Sequence, residues 1–308
     1  MRSAMLNLLR YANRRTRDVP AIRRPAIAGY AALTSLVRFL PPPRVLLNGP
    51  GKAGTHLLSD CLALLPRMSF SGRHFVLDDF IDGEGVPYFP PVDPRSVALD
   101  DAGLRRYLRR CPDGMFATSH APWHPSLRSA LADLGFRQVL LLRDPRDQVV
   151  SYVFYVVASR FHHHHRLLAN ECRTMEERLV RVIRGIEPER WPLPDIAGYY
   201  DGFLAWDGDD AVPTLVTRYE TLIGSRGGGD GTAQVAEVRR IAAFLDRPLG
   251  EERAGVVAAR MVSSASPTFR QGRSNEWREH FTPAVAAAFD EVAGDLLERL
   301  GYDRDGER

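Results

Sequence analysis

Lysine is nearly missing from this chain. Of its 41 Lys and Arg residues, Lys52 alone is a lysine. A general preference for arginine is what biased codon usage produces, so the preference points to no particular partner, but the single exception does mark a position. Acid is not scarce: 38 Asp and Glu leave a formal charge of +3, too weak to argue for nucleic acid as a partner. Cysteine is scarce. Cys61, Cys111 and Cys172 are odd in number and match no zinc or disulfide spacing. They read as inert thiols in a reducing compartment, which leads us to expect a cytoplasmic protein. Long apolar runs are lacking too. No apolar segment before a small-residue cleavage site marks a secretory leader. The stretch from Ala26 to Leu40 is too short to span a bilayer and contains Arg38. It reads as a helix packed on its own domain, with weak membrane-surface contact as the alternative.

The 308 residues are enough for one large domain or two small ones. Residues 1–43 form an Arg-rich helical lead-in that stops at Pro41-Pro42-Pro43. Strand patterns follow at 44–48, 114–120, 137–143 and 214–220. Helical spacing runs through 55–65, 147–160, 232–246 and 283–302, with Asp147 expected as the N-cap of the second of these. The Gly-rich stretch 224–231 reads as a flexible surface loop, and 78–101, rich in Pro, Gly and Asp, as an irregular segment of the kind that covers substrates. Apolar strands alternating with helices predict an α/β domain on a mostly parallel sheet over 44–302, followed by a short tail at 303–308.

The lone lysine lies in Gly49-Pro50-Gly51-Lys52-Ala53-Gly54-Thr55-His56, between the first strand and the first helix. A strand, a Gly-rich turn and a helix N-terminus together form a phosphate cradle of backbone N–H groups and dipole charge. The loop of nucleotide hydrolases requires its lysine directly after the last glycine. Here Lys52 comes two residues before Gly54, and no metal-binding Asp strand accompanies it. Lysine is a compact point charge on a flexible stem, whereas arginine is a flat fork. A sole lysine in an arginine background therefore suggests a place where the fork does not fit. A second anion site is suggested by Arg143 at a strand's end and Ser151 eight residues later in the next helix. Ligands bind at that edge of open α/β sheets.

Four stretches in order carry a resemblance. "GKAGT" (51–55), "RDPRDQVVS" (143–151), "VTRYETL" (216–222) and "RQGRSNEW" (270–277) resemble the motifs of the sulfotransferases that use 3′-phosphoadenosine 5′-phosphosulfate (PAPS). The resemblance covers about 44–302. It implies a three-layer, P-loop-like α/β fold with a central sheet flanked by helices. PAPS would be the donor, 3′-phosphoadenosine 5′-phosphate (PAP) the product, and no metal would be required. It places Lys52, Gly54, Thr55 and His56 at the 5′-phosphate and sulfonate end, with Ala53 in the same loop, and Leu57 against the adenine. Arg143, Ser151, Arg270, Gln271 and Gly272 would hold the 3′-phosphate, and Tyr219 would lie beside the adenine.

Sulfuryl transfer needs stabilisation of charge on the leaving group, for which Lys52 is the candidate, and removal of the acceptor's proton. A histidine suits the second task. The family carries its base in a segment whose place "TSH" (118–120) fills, which implies His120, with His124 as the rival base. Trp123, His124, Phe154 and Tyr155 are candidates for the acceptor pocket, Trp123 being equally readable as core. The chain departs from the family pattern at Ala53, Leu57, Thr118 and Gln271, and the family's C-terminal dimer motif is not preserved after Trp277. These departures imply a divergent bacterial branch and carry over no dimer. The expected acceptor is a small hydroxylated molecule such as a secondary metabolite. A non-catalytic nucleotide-binding protein on the same fold and a P-loop kinase are the alternatives. The run His162 to His165 reads as a helix end or loop near the acceptor mouth rather than as a metal site.

Overall fold

The computed structural model describes residues 43–81, 97–186, 193–262 and 271–302. The lead-in with its 26–40 stretch, the tail, and Arg270 lie outside the described residues.

Among the described residues five strands form one sheet: β1 Arg44–Asn48, β2 Ser69–Phe75, β3 Met115–Ser119, β4 Phe136–Leu142 and β5 Thr214–Arg218. Their order is β2-β3-β1-β4-β5, and every neighbouring pair is parallel. The expected strands are all present. β2 is the strand that sequence pattern did not suggest. Its "SFSGRHF" carries a register shift between Phe70 and His74, where Gly72 takes φ 74°. A bulge breaks the alternation on which strand reading depends.

Alternation along the other strands divides the core into two layers. Val45, Leu47, Phe116, Val139 and Leu141 face one side, against helices α1 Thr55–Leu64, α7 Gly231–Phe244 and α8 Glu251–Met261. Leu46, Ala117, Leu140 and Leu142 face the other. That second side is covered by α2 Asp101–Arg109, α3 Pro125–Asp133, α4 Pro145–Ala158, α5 Met175–Ile183, α6 Ile196–Leu204 and α9 Pro283–Ala293. This is a three-layer α/β fold with its sheet buried on both faces, as parallel sheets require.

Three local expectations change. Helix 283–302 is two helices, α9 and α10 Leu296–Leu300, separated near Gly294. Helix α4 is capped by Asp144, whose carboxylate accepts from the Arg146 amide, because Pro145 starts the helix two residues before Asp147. The 224–231 stretch is no loose surface loop. Gly224 and Gly227 are buried in a 3-10 turn, and the Gly227 carbonyl accepts from the amide and the hydroxyl of Ser274. Among the described residues no helix is long and apolar enough to cross a membrane.

Candidate active site

Strands β3, β1 and β4 are neighbours in the sheet, so the segments leaving their C-terminal ends meet. Asn48 closes β1 and is fully buried. Its amide donates to the Ala121 carbonyl (2.7 Å) and to Gln138 (3.1 Å), and its carbonyl oxygen accepts from the Ala121 amide (3.0 Å). The segment after β3 is thereby tied to the end of β1, which fixes where His120 stands. His120 Nδ1 lies 2.8 Å from the Gly49 carbonyl oxygen. A carbonyl only accepts, so Nδ1 carries the proton and Nε2 keeps its lone pair. Desolvation lowers the His120 pKa to about 4, helped by His74 and Lys52 and opposed by the Gly49 bond. The ring is thus an unprotonated base at neutral pH. The His74 ring, from β2, meets it edge-on at 5.2 Å, and His74 Nδ1 lies 3.0 Å from Thr118 Oγ1.

The loop after β1 is held from outside. The Gly51 amide donates to the Tyr199 hydroxyl (2.8 Å), and the Gly51 carbonyl accepts from the Gln148 side-chain amide (2.8 Å). Clamped on both sides, the chain passes through Lys52 in the left-handed region at φ 69°. For a residue with a Cβ that conformation costs on the order of 1–3 kcal/mol, which the clamp must offset. Gly54 follows at φ 103° as N-cap of α1, with no side chain capping the helix. The first-turn amides of Thr55, exposed His56 and Leu57 therefore open toward the loop, the arrangement that suits an anion. A Cβ at Gly54 would lie 2.4 Å from the Tyr219 ring. Ala53 is buried, and its amide closes the turn onto the Pro50 carbonyl (3.2 Å).

Arg143 leaves β4 almost fully buried. It donates to the carbonyls of Lys52 (3.1 Å) and Arg273 (3.3 Å) and stacks 4.2 Å from the Tyr219 ring centre. Its Nε is buried with no hydrogen-bond partner. Tyr219 is thus sandwiched between Gly54 and Arg143. Asp147 holds the C-terminal motif in place: its two carboxylate oxygens accept from the amides of Asn275 and Trp277 (2.8 Å each). Arg146, paired with Asp144 at 2.8 Å, lies 4.0 Å over the Trp277 ring. Gln271 is exposed and Gly272 takes φ 67° beside this junction. Glu220 joins both halves, accepting from the Asp144 amide (2.9 Å) and the Tyr302 hydroxyl (2.8 Å). Ser151 is half-buried on the second turn of α4.

The acceptor-side candidates separate. Tyr155 is partly exposed, and the Lys52 ammonium sits 4.1 Å over its ring. Phe154 turns elsewhere and packs on His280 at 5.3 Å. Trp123 donates to Asp209 (2.7 Å) and packs near Trp206. His124 is buried with both nitrogens engaged: Nε2 lies 3.0 Å from the Val97 carbonyl, and Nδ1 accepts from the Ser126 amide (3.1 Å) to cap α3. His124 thus caps the N-terminus of α3. Burial and mutual crowding lower the pKa of His162 to about 3 and of His163 to about 4, and Lys52 is among the charges acting on His162.

The sulfotransferase domain model matches residues 42–301. The chain belongs to the sulfotransferase family. Sulfotransferase 6B1 of Danio rerio is 24% identical over 264 residues, covering 79% of this chain and 81% of that protein. Among solved structures, this sulfotransferase is similar to mouse sulfotransferase SULT7A1 complexed with PAP, with TM-score 0.54, 16% identity and 86% of each chain covered. Retinol dehydratase in complex with androsterone and inactive cofactor PAP aligns with TM-score 0.51 and 17% identity, over 88% of this chain and 85% of that one. These likenesses bear out the P-loop-like fold. The residues that hold the sulfotransferase's loop and strand ends were not visible in the sequence: Asn48, His74, Gln148, Tyr199 and Tyr200, whose hydroxyl donates to the Arg143 carbonyl (2.8 Å). Gln148 lies inside a motif and Asn48 ends a legible strand, but neither shows its partner locally, and the others come from segments with no such pattern.

Proposed function

We propose that this sulfotransferase moves a sulfonate from PAPS to the hydroxyl of a small molecule, with His120 as general base. The observation that carries the reading is the His120–Gly49 hydrogen bond. It leaves the Nε2 lone pair on the same sheet edge as the Lys52 loop, and its carbonyl acceptor belongs to that loop. The residues present fit the donor's two separated anionic groups. Helix α1 lacks a side-chain cap at one end of the site, and Arg143 keeps a buried, unpartnered Nε at the other. Lys52, Gly54, Thr55 and His56 hold the 5′ end; Arg143 and Ser151, joined by Arg270, Gln271 and Gly272, hold the 3′-phosphate. Tyr219 packs between them, with the adenine against its neighbourhood and Leu57.

When bound, PAPS supplies the activated sulfonate. His120 takes the proton of the acceptor hydroxyl on Nε2 while Nδ1–H stays on the Gly49 carbonyl. Lys52 stabilises negative charge growing on the leaving phosphate. The androsterone and retinol named in complexes of retinol dehydratase are small hydroxylated molecules, which supports the same acceptor class here. The three free cysteines support a reducing, cytoplasmic setting. The test is radiolabelled transfer from PAPS to a panel of phenols, alcohols and glycans, beside Lys52→Ala and His120→Ala. Transfer by the wild type that both variants lose is expected. Donor binding with no transfer to any acceptor favours a non-catalytic nucleotide-binding protein instead.

A further inference from the structure

Beyond α4 the chain turns sharply through Phe161, which is fully exposed, into four consecutive histidines. The donor and acceptor chemistry above uses none of them. Three of the four converge. One ring nitrogen from each of His162, His163 and His164 lies within 4.8 Å of the others. Ring centres of His162 and His163 are 4.2 Å apart, as are those of His163 and His164. The fourth, His165, points away and meets the Val156 carbonyl at 3.0 Å.

We propose that His162, His163 and His164 form a binding site for a divalent transition cation of the zinc class beside the acceptor mouth. Imidazole is the ligand that suits this class, and a three-nitrogen set leaves one position for water. Tetrahedral zinc bonds near 2.0–2.1 Å place ligand nitrogens about 3.4 Å apart, so modest rotation of the half-buried His162 and exposed His163 rings toward buried His164 closes the set. A metal-bound histidine commonly has its second nitrogen held by an outer partner. His164 has one in place: its Nδ1 lies 2.7 Å from the Tyr152 hydroxyl, which directs Nε2 to the cation. His162 Nδ1 accepts a long bond from the His164 amide (3.2 Å), and ligation of that ring through Nε2 gives this bond up. The position follows from two aromatic contacts. The rings of Tyr152 and Tyr155 each meet the His162 ring edge-on at 5.7 Å, and Tyr155 is the ring beneath the Lys52 ammonium. Sulfonate transfer does not require this cation. The site is an addition to the family's machinery, set one aromatic ring away from Lys52.

The experiment uses the full chain without a histidine tag and without donor or acceptor, so its result does not depend on the proposed reaction. Co²⁺ is titrated in, and its visible ligand-field absorption is followed, then competed with Zn²⁺. One Co²⁺ per chain, displaced by Zn²⁺, is expected. The His162→Ala/His163→Ala double variant should bind at least about tenfold more weakly, with an unchanged circular dichroism spectrum. His165→Ala should bind as wild type does. No saturable band with the wild type overturns the proposal whatever the variants do. Equal affinity in the double variant, or a loss as large in His165→Ala, also overturns it.

Discussion

One backbone carbonyl distinguishes the proposed base of this site from its neighbour. Of the two histidines within five residues after β3 begins its exit, His124 spends both nitrogens on backbone partners, whereas His120 spends one on Gly49. His120→Ala is accordingly expected to lower kcat about 100-fold or more while leaving the Kd for PAP near wild type, measured by calorimetry. Because the His120 pKa is depressed to about 4, the proposed base stays unprotonated as pH falls from 8 to 6. Activity is expected to hold across that range with respect to this group and to fall only as pH approaches 4. Lys52 contributes to the depression, so Lys52→Met should move the His120 titration upward, read by NMR of the ring. At Lys52 the shape of the side chain matters as well as its charge, since the residue is left-handed and its ammonium reaches Tyr155. Lys52→Arg keeps the charge, yet kcat should still fall about 100-fold; near-normal turnover would refute the shape argument.

Elements place these side chains, and they do so through clamps. The loop between β1 and α1 depends on Tyr199 from α6 and Gln148 from α4. Tyr199→Phe removes one hydrogen bond and is expected to cost about 1 kcal/mol of stability in chemical denaturation, with a larger proportional loss in kcat than in donor affinity. The C-terminal motif depends on Asp147. Asp147→Ala frees the amides of Asn275 and Trp277, so the segment leading to them from Gln271 and Gly272 should loosen. The expected outcome is a raised KM for PAPS, with kcat at saturating donor little changed. This role explains why Asp147 misleads as a cap: an acidic residue early in a helix suits both the dipole and a tertiary partner, and only packing distinguishes them.

The molecule as a whole is a parallel sheet whose three central strands end at one edge, with Glu220 and Arg143 joining β4, β5 and the C-terminal segment. A ligand that binds only this assembled edge stabilises the whole fold. PAP is therefore expected to raise Tm measurably at concentrations where ATP does not; a matching shift with ATP would favour the kinase alternative.

What the sequence determined by itself is the fold class and the reaction family. Short buried strands, helices of regular period and four motifs in order are local patterns, and local patterns survive without tertiary information. They placed Lys52, Arg143 and His120 at strand ends because a strand's end is visible as a change of period. Tertiary structure decided the rest. The bulged β2 and its His74, the Asn48 bridge, the clamps on Gly51 and the His120–Gly49 bond all join residues far apart in the chain. Such contacts leave no local period or spacing. They arise from which helix packs on which face of the sheet, a matter for the folded core as a whole.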